Sequence, residues 1–254
     1  MTRTSISDTE EYRQVCKQAA NDNEYFKVFR QNPIYNQILE HVTREEGQAY
    51  LYYIKKHMKD FDLYRDKFQT SDLIGGPRLE DYGEDGIWSP TTLRYVKVLA
   101  ELEEYFGSLQ DFEIVEIGSG YGGQCKIIQD HTKITYYDIF DLKESNLLSC
   151  KFLSNFSLCP MIFCDEFSLP SSYDLVISNY AFSELTLELQ KKYIGYVLDN
   201  AIRGYITFNN ISKPNGIDSM SPAQFKKYIK RRGGFCIEEF PKTHEDNFIG
   251  IFGV

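Results

Sequence analysis

The fold is decided by the stretch Ile114-Val115-Glu116-Ile117-Gly118-Ser119-Gly120-Tyr121-Gly122-Gly123-Gln124. An apolar run that carries one acid ends here in a cluster of glycines, and helix-compatible residues follow. The order strand, glycine loop, helix is the context of a nucleotide-binding loop, because glycine lets a ligand approach the backbone where a side chain would collide. The alternative is an ordinary tight turn, so this spacing alone favours a nucleotide-type ligand only modestly.

The residues around the loop narrow the kind of ligand. The loop lacks the Gly-Lys-Ser/Thr ending of a phosphate-cradling P-loop, which disfavours a nucleoside triphosphate. Glu116 would repel the pyrophosphate of a dinucleotide and attract an ammonium group, which favours S-adenosylmethionine over NAD. Asp141, at the end of a predicted second strand, is placed to hold the two ribose hydroxyls. Asp138 is the rival for this role, although inside a buried strand it would need a partner.

Longer sequence segments carry a family resemblance. The glycine stretch above and residues 88–95, 177–184 and 204–210 resemble the bacterial sugar O-methyltransferase family, within the class I S-adenosylmethionine-dependent methyltransferases. The similarity runs roughly from residue 71 to the C-terminus. It implies transfer of a methyl group to a sugar hydroxyl in surface-polysaccharide biosynthesis, with a sugar, nucleotide-sugar or glycan as acceptor. The family usually has a proline after the Asp-Leu pair, where this chain has Lys143.

The predicted fold is α/β, a Rossmann-like class I methyltransferase with a seven-stranded, mostly parallel sheet, an antiparallel last strand and an N-terminal helical cap. Residues 1–86 are expected to form the cap and linker, and residues 87–254 the methyltransferase domain. Apolar residues at steps of three and four predict one long helix over residues 44–68, begun by a capping box. A second cap helix is predicted over residues 10–30.

Composition limits the possible partners and locations. With 28 basic and 37 acidic residues the net charge is −9, which disfavours nucleic acid as a substrate. Six scattered cysteines and four distant histidines give no support for a zinc site or a disulfide framework, and no metal is expected. A polar N-terminus and the lack of a long apolar run predict a cytoplasmic protein without a membrane span. The exposed edge of the cap helices could wall an acceptor pocket or a homo-oligomer face.

Ligands of an open α/β sheet bind at the carboxyl ends of its parallel strands, so only loops on that edge qualify for the site. Arg94 is expected to pair with the methionyl carboxylate, or alternatively to bridge to Glu116 or a surface acid. Asp165 could accept the adenine amino group. The residues predicted to bind the cofactor are Arg94, Glu116, Gly118, Gly120, Gly122, Asp141, Asp165 and Asn179.

Methyl transfer to a hydroxyl needs in-line approach and a base for the released proton. His244 and Glu184 are the candidates, and His244 is preferred because an imidazole titrates near neutral pH and the other histidines are predicted to lie away from this edge. The alternatives are that His244 is an exposed loop residue and that Glu184 caps a following helix. Tyr180, Asn209 and Asn210 are predicted to bind the substrate, and the side-chain amides of the two asparagines suit sugar hydroxyls.

Two other functions stay open at this stage. The first is methyl transfer to nitrogen or to another small molecule. Residues 178–182 faintly resemble the Asn-Pro-Pro-Tyr motif of amino methyltransferases, although both prolines are missing. The second is a non-catalytic module that keeps the fold and binds the cofactor without turnover.

Overall fold

The computed structural model describes residues 3–165, 167 and 172–254. Nine strands are found in this part of the chain. A short ribbon pairs β1 (Glu80–Asp81) with β2 (Ile87–Trp88), and the main sheet contains the others. These are β3 (Glu113–Ile117), β4 (Tyr136–Phe140), β5 (Met161–Cys164), β6 (Tyr173–Asn179), β7 (Ala201–Phe208), β8 (Phe235–Glu238) and β9 (Phe248–Phe252).

The main sheet has the strand order β5-β4-β3-β6-β7-β9-β8. The pairs from β5 to β7 are parallel, and β9 runs antiparallel to both β7 and β8. The predicted Rossmann-like class I methyltransferase sheet, seven-stranded with an antiparallel last strand, is confirmed. The direction of winding reverses between β3 and β6, and the carboxyl ends of these two strands are therefore where such a fold binds its ligand.

Ten α-helices are found among the described residues. The N-terminal ones are α1 (Glu10–Asn21), α2 (Asn23–Phe26), α3 (Pro33–Ile38), α4 (Arg44–His57) and α5 (Phe61–Gln69). The later ones flank the sheet and are α6 (Pro90–Phe106), α7 (Gly123–His131), α8 (Lys143–Leu153), α9 (Leu187–Tyr196) and α10 (Pro222–Arg231). None of the helices in the described part of the chain has the length and apolar character that crossing a bilayer requires.

The prediction of one helix over residues 44–68 is wrong in its continuity. The capping box of Thr43 and Glu46 starts α4 as expected, but Met58 takes an extended conformation (φ −104°, ψ 97°) and α5 begins at Phe61. The apolar residues keep their spacing on both sides of the break, because α4 packs on α6 and α5 packs on α7. Both helices thus bury one face against the same core.

The predicted helix over residues 10–30 is also interrupted. It ends at Asn21, because Asp22 is extended (φ −112°, ψ 119°) and its carboxylate accepts the backbone N–H groups of Glu24 and Tyr25. Aspartate at this position caps the new helix α2 more favourably than it would continue α1.

The N-terminal helices share one hydrophobic core with the sheet. Tyr12, Leu51 and Phe68 belong to the same buried cluster as Leu93 of α6 and Ile114 of β3. Packing of α1 on α8 and of α4 on α6 accounts for much of this contact. The cap therefore packs on the core of the sheet, and some of its residues line the cavity at the carboxyl edge.

Candidate functional site

A cavity of about 760 Å³ opens at the carboxyl edge of the parallel strands. One wall is formed by the turns after β3, β4, β5, β6 and β7, and the segment before β9 contributes Thr243, His244 and Asn247. The cap closes the opposite side with residues that include Leu39, His41 and Tyr50. Pockets for single small molecules range from about 300 to 1,000 Å³, so the volume suits a nucleoside-sized cofactor with a small second substrate.

The three glycines of the turn after β3 have different tasks. Gly118, Gly120 and Gly122 all have positive φ (76°, 61° and 88°), which disfavours any side chain. A Cβ on Gly118 would collide with Ala181, and a Cβ on Gly120 would lie 2.6 Å from Leu39 Cδ1. Both glycines line the cavity.

Gly122 lies behind the cavity wall and is not among its lining residues. A Cβ there would lie 2.6 Å from Ser149 Oγ of α8. The sequence assigned Gly122 to the cofactor. In the structure this glycine lies at the start of α7 and lets α8 pack closely against it. This is the packing role of a third glycine in a strand–loop–helix unit.

Asp141 and Asp138 occupy different environments. Asp141 lines the cavity, and its two carboxylate oxygens accept the N–H groups of Gly120 at 2.9 Å and Leu142 at 2.7 Å. Burial raises the pKa of Asp141 to about 6. Asp138 lies within β4 outside the cavity lining and accepts a hydrogen bond from Tyr173 Oη at 2.9 Å. Of the two rivals for the ribose, Asp141 is the one that reaches the cavity.

Glu116 requires a correction. Its side chain is buried outside the cavity lining and accepts a hydrogen bond from Tyr137 Oη at 2.9 Å. Burial raises the pKa of Glu116 to about 8, so the carboxyl is mostly neutral at pH 7. A neutral, enclosed carboxyl does not supply the charge that the sequence argument assigned to it. The glutamate before the glycine loop is a core residue in this structure.

Arg94, in α6, is buried to 8% exposure and lines the cavity. Its Nη2 donates a long hydrogen bond of 3.4 Å to the Leu39 carbonyl, and its Nε has no partner among the described residues. The sequence left open an ion pair between Arg94 and Glu116, but the Glu116 carboxyl accepts a hydrogen bond from Tyr137 instead. A buried guanidinium without a carboxylate partner is costly. Because Arg94 lines the cavity, its guanidinium could bind an anionic group there.

An aromatic surface lies beside the turn after β5. The rings of Phe140 and Phe167 stack with centroids 5.6 Å apart, and Tyr193 meets Phe167 edge-on at 4.7 Å. These residues and Asp165 all line the cavity. Aromatic walls beside one polar acceptor suit a flat heterocycle that carries an amino group.

Glu184 ends the 3-10 turn Ala181–Glu184 after β6 and lines the cavity. Asn209 Nδ2 donates to Glu184 Oε1 at 2.7 Å. Burial raises the pKa of Glu184 to about 7, partly opposed by the Asn209 hydrogen bond. The side chain thus bonds across to β7, and its carboxyl titrates where a general base is most effective.

His244 also lines the cavity, on an exposed loop. Its Nδ1 accepts the backbone N–H of Asp246 at 3.3 Å. A neutral imidazole that accepts through Nδ1 carries its proton on Nε2, which then has no lone pair to accept another. His244 was predicted to be the only histidine on the ligand-binding edge of the sheet, and His41 lines the same cavity from the cap.

The predicted substrate-binding residues divide into two groups. Tyr180 and Asn209 line the cavity together with Asn179, while Asn210 is outside its lining and donates to Asp246 at 3.2 Å. Both ends of the Asn209 amide are engaged within the protein, because Ser183 Oγ donates to its Oδ1 at 2.9 Å while its Nδ2 binds Glu184. Asn209 is therefore better placed to orient Glu184 than to bind a ligand.

The sequence indicated that the cap could wall a pocket, but it did not identify which cap residues would do so, nor the loop residues Thr243 and Asn247. No local pattern identifies them, since Leu39, His41 and Tyr50 reach the cavity only through tertiary packing of the cap. In the described ranges, no group of three or more His, Cys, Asp or Glu side chains could hold a metal ion.

The sheet order and the position of the cavity define a Rossmann-like fold of the class I methyltransferase type. No protein-family model matches the sequence, and the curated proteins give no significant match.

Solved structures with a similar chain trace include three methyltransferases. The magnesium protoporphyrin IX methyltransferase ChlM from Synechocystis PCC 6803 with bound SAM is 12% identical (TM-score 0.47), covering 80% of this chain and 94% of that chain. The N-methyltransferase NodS from Bradyrhizobium japonicum WM9 in complex with S-adenosyl-L-homocysteine is 12% identical (TM-score 0.46), covering 61% and 82%. The mitomycin 7-O-methyltransferase MmcR is 12% identical (TM-score 0.43), covering 63% and 56%.

Proposed function

We propose that this protein is an S-adenosylmethionine-dependent O-methyltransferase that acts on a sugar hydroxyl in surface-polysaccharide biosynthesis. The observation that carries the proposal is the placing of Glu184, a buried carboxyl with a pKa raised to about 7, in the same cavity wall as Gly118, Gly120 and Asp141. A nucleoside site and a general base thus face one space. The sugar and its pathway rest on the sequence resemblance described above.

The cavity residues fit the parts of S-adenosylmethionine. Asp141, whose carboxylate is held in the cavity wall by the N–H groups of Gly120 and Leu142, would accept the ribose hydroxyls. Asp165, beside the aromatic surface of Phe167, would accept the adenine amino group. The amino-acid end of the cofactor would then lie toward Arg94.

Two further side chains of the cavity wall could bind the amino-acid end of the cofactor, which carries an ammonium and a carboxylate. Arg94 is a donor without an acidic partner, and Asn179 Oδ1 is a buried acceptor without a partner among the described residues. A guanidinium binds a carboxylate through parallel hydrogen bonds, and an amide oxygen accepts from an ammonium group. Asn179 would therefore take the role that the enclosed, neutral Glu116 does not fill.

The bound sulfonium supplies an activated methyl group and a good leaving group. Glu184 would take the proton of the acceptor hydroxyl as its oxygen bonds to the methyl carbon and the sulfur–carbon bond breaks, and would later release that proton to solvent. Asn209 holds the Glu184 carboxyl in place through its 2.7 Å hydrogen bond. Cap residues such as His41 and Tyr50 would face the acceptor, where polar and aromatic groups suit a hydroxylated ring.

Calorimetry with S-adenosylhomocysteine and 5′-methylthioadenosine, which lacks the amino-acid end, tests the cofactor assignment. Arg94→Gln should weaken S-adenosylhomocysteine about 10- to 100-fold and leave 5′-methylthioadenosine unchanged, because a charge-assisted hydrogen bond contributes about 1.5–3 kcal/mol. Arg44→Gln on the exposed face of the cap is the matched control. Absence of S-adenosylhomocysteine binding by the unaltered protein would refute the proposed function.

The acceptor is tested by transfer of a labelled methyl group to methyl glycosides, nucleotide-sugars, nucleosides and peptides. Labelling of sugar hydroxyls supports the proposal. Labelling confined to nucleosides or peptides would favour the alternative of another acceptor, and binding without transfer to any acceptor would favour a non-catalytic module.

A further inference from the structure

Glu239 has an unusual set of hydrogen-bond partners. It directly follows β8, is buried to 7% exposure and accepts hydrogen bonds from three side chains and one backbone group. Tyr180 Oη donates to Oε1, while Oε2 accepts from Thr243 N at 3.3 Å, Thr243 Oγ1 at 2.6 Å and Asn247 Nδ2 at 3.0 Å. A carboxylate has about four acceptor positions, and four donors surround Glu239, three of them at Oε2.

The donors to Glu239 come from two separate parts of the cavity wall. Tyr180 belongs to the turn after β6, and Thr243 and Asn247 belong to the loop that precedes β9. All three line the cavity, whereas Glu239 does not. The carboxylate therefore joins the two parts of the wall from behind, as a shared anchor.

The turn that contains Tyr180 depends on such an anchor. Tyr180 has φ 69° and ψ −35°, a conformation that costs a residue with a side chain about 1–3 kcal/mol and persists only where the surroundings enforce it. Its backbone N–H bonds to the Thr207 carbonyl at 3.0 Å, and its ring is fixed through Glu239. Ala181, which packs against Gly118, and Glu184 follow in the same turn.

We propose that Glu239 is a positioning residue. It fixes the position of the turn that carries Glu184 relative to the loop that carries His244. It acts through the Tyr180 hydroxyl on one side and through Thr243 and Asn247 on the other. The importance of this relation for methyl transfer rests on the proposed function. The coupling between the two segments rests on the hydrogen bonds alone and is tested without an acceptor.

Hydrogen exchange in the S-adenosylhomocysteine complex of the full chain is the first test. Glu239→Ala should speed exchange about tenfold or more in both segments 180–184 and 240–247, since each lost hydrogen bond is equivalent to about a tenfold change in opening. Tyr180→Phe should affect segment 180–184 and spare the loop. Glu238→Ala is the control. The Glu238 side chain neighbours Glu239 in sequence but is 85% exposed, and its ion pair with Lys242 is long at 3.8 Å. Unchanged exchange in 180–184 in both Glu239→Ala and Tyr180→Phe would overturn the proposal.

Carbon-detected titration of the Glu184 carboxyl, assigned with Glu184→Gln, is the second test. Loosening the turn admits water, so Glu239→Ala and Tyr180→Phe should lower the midpoint toward that of an exposed glutamate. Glu239→Gln should keep the midpoint, because its Oε1 still accepts from Thr243 and Asn247 and its Nε2 donates to the Tyr180 oxygen. A midpoint unchanged in both disruptive variants would also overturn the proposal. Failure to bind S-adenosylhomocysteine would instead count against the proposed function.

Discussion

Glu116 allows a quantitative prediction of stability against pH. Its carboxyl has a pKa raised to about 8 by burial, against 4.5 for an ordinary glutamate. Well below pH 4.5 the carboxyl is protonated in both the folded and the unfolded protein and makes no pH-dependent contribution to stability. Between the two values the unfolded chain ionises while the folded one stays neutral, so stability falls as pH rises and the loss is complete above pH 8.

The magnitude follows from the size of this window. Each pH unit within it costs about 1.4 kcal/mol, so Glu116 removes roughly 3 to 4 kcal/mol between pH 5 and pH 8. That is a large part of the 5–15 kcal/mol that folded domains typically have. Glu116→Gln keeps the shape and still accepts from Tyr137 Oη through its amide oxygen, but it cannot ionise.

Urea unfolding at pH 5, 6, 7 and 8 measures the effect. The variant and the unaltered protein should differ little at pH 5, and the variant should be more stable by roughly 3 kcal/mol at pH 8. Other titrating groups are common to both proteins and largely cancel in the difference. Glu113→Gln is the matched control, since Glu113 lies in the same strand, is half-buried and also accepts from a tyrosine, Tyr136, at 3.0 Å. A Glu116→Gln difference that stays constant from pH 5 to pH 8 would refute the reasoning.

Three further outcomes are expected. Asp141→Ala should weaken S-adenosylhomocysteine at least about tenfold by calorimetry while Asp138→Ala does not, and the reverse result would move the ribose site to Asp138. Glu184→Gln should lower turnover about 10²–10⁴-fold with cofactor affinity retained and should abolish the lower limb of the pH–rate profile near 7. His244→Ala should have the smaller effect, and the opposite ranking would identify His244 as the base. Transfer should proceed in EDTA, and loss of activity restored by magnesium would contradict a metal-free reaction.

The sheet could be predicted because its signals are local. An apolar run, a glycine break and a returning helix pattern fix β3, its turn and α7 without knowledge of the rest of the chain. The same holds for the capping box at Thr43, which depends on residues three positions apart. The break at Met58 was missed because both halves of the predicted helix keep an apolar face, and periodicity alone does not show where the axis changes direction.

The site was predicted less completely because protonation and long-range contacts decide it. Glu116 and Glu184 are both acids at the end of a strand or turn, yet one is enclosed in the core and the other lines the cavity. Sequence position does not separate them, since burial by distant elements sets both the exposure and the pKa. Glu239 gave no signal for the same reason, because its partner Tyr180 is 59 residues away.

The collision that a Cβ on Gly118 would make with Ala181 also bears on how relatives of this chain can vary. The glycine at 118 and the small residue at 181 occupy one shared volume, so the two positions cannot enlarge independently. Among homologues, a larger residue at 181 should therefore occur only together with a displaced turn after β3, and the two positions should covary. A sequence signature that pairs the glycine loop with a small residue at 181 would be more selective than the glycine loop alone.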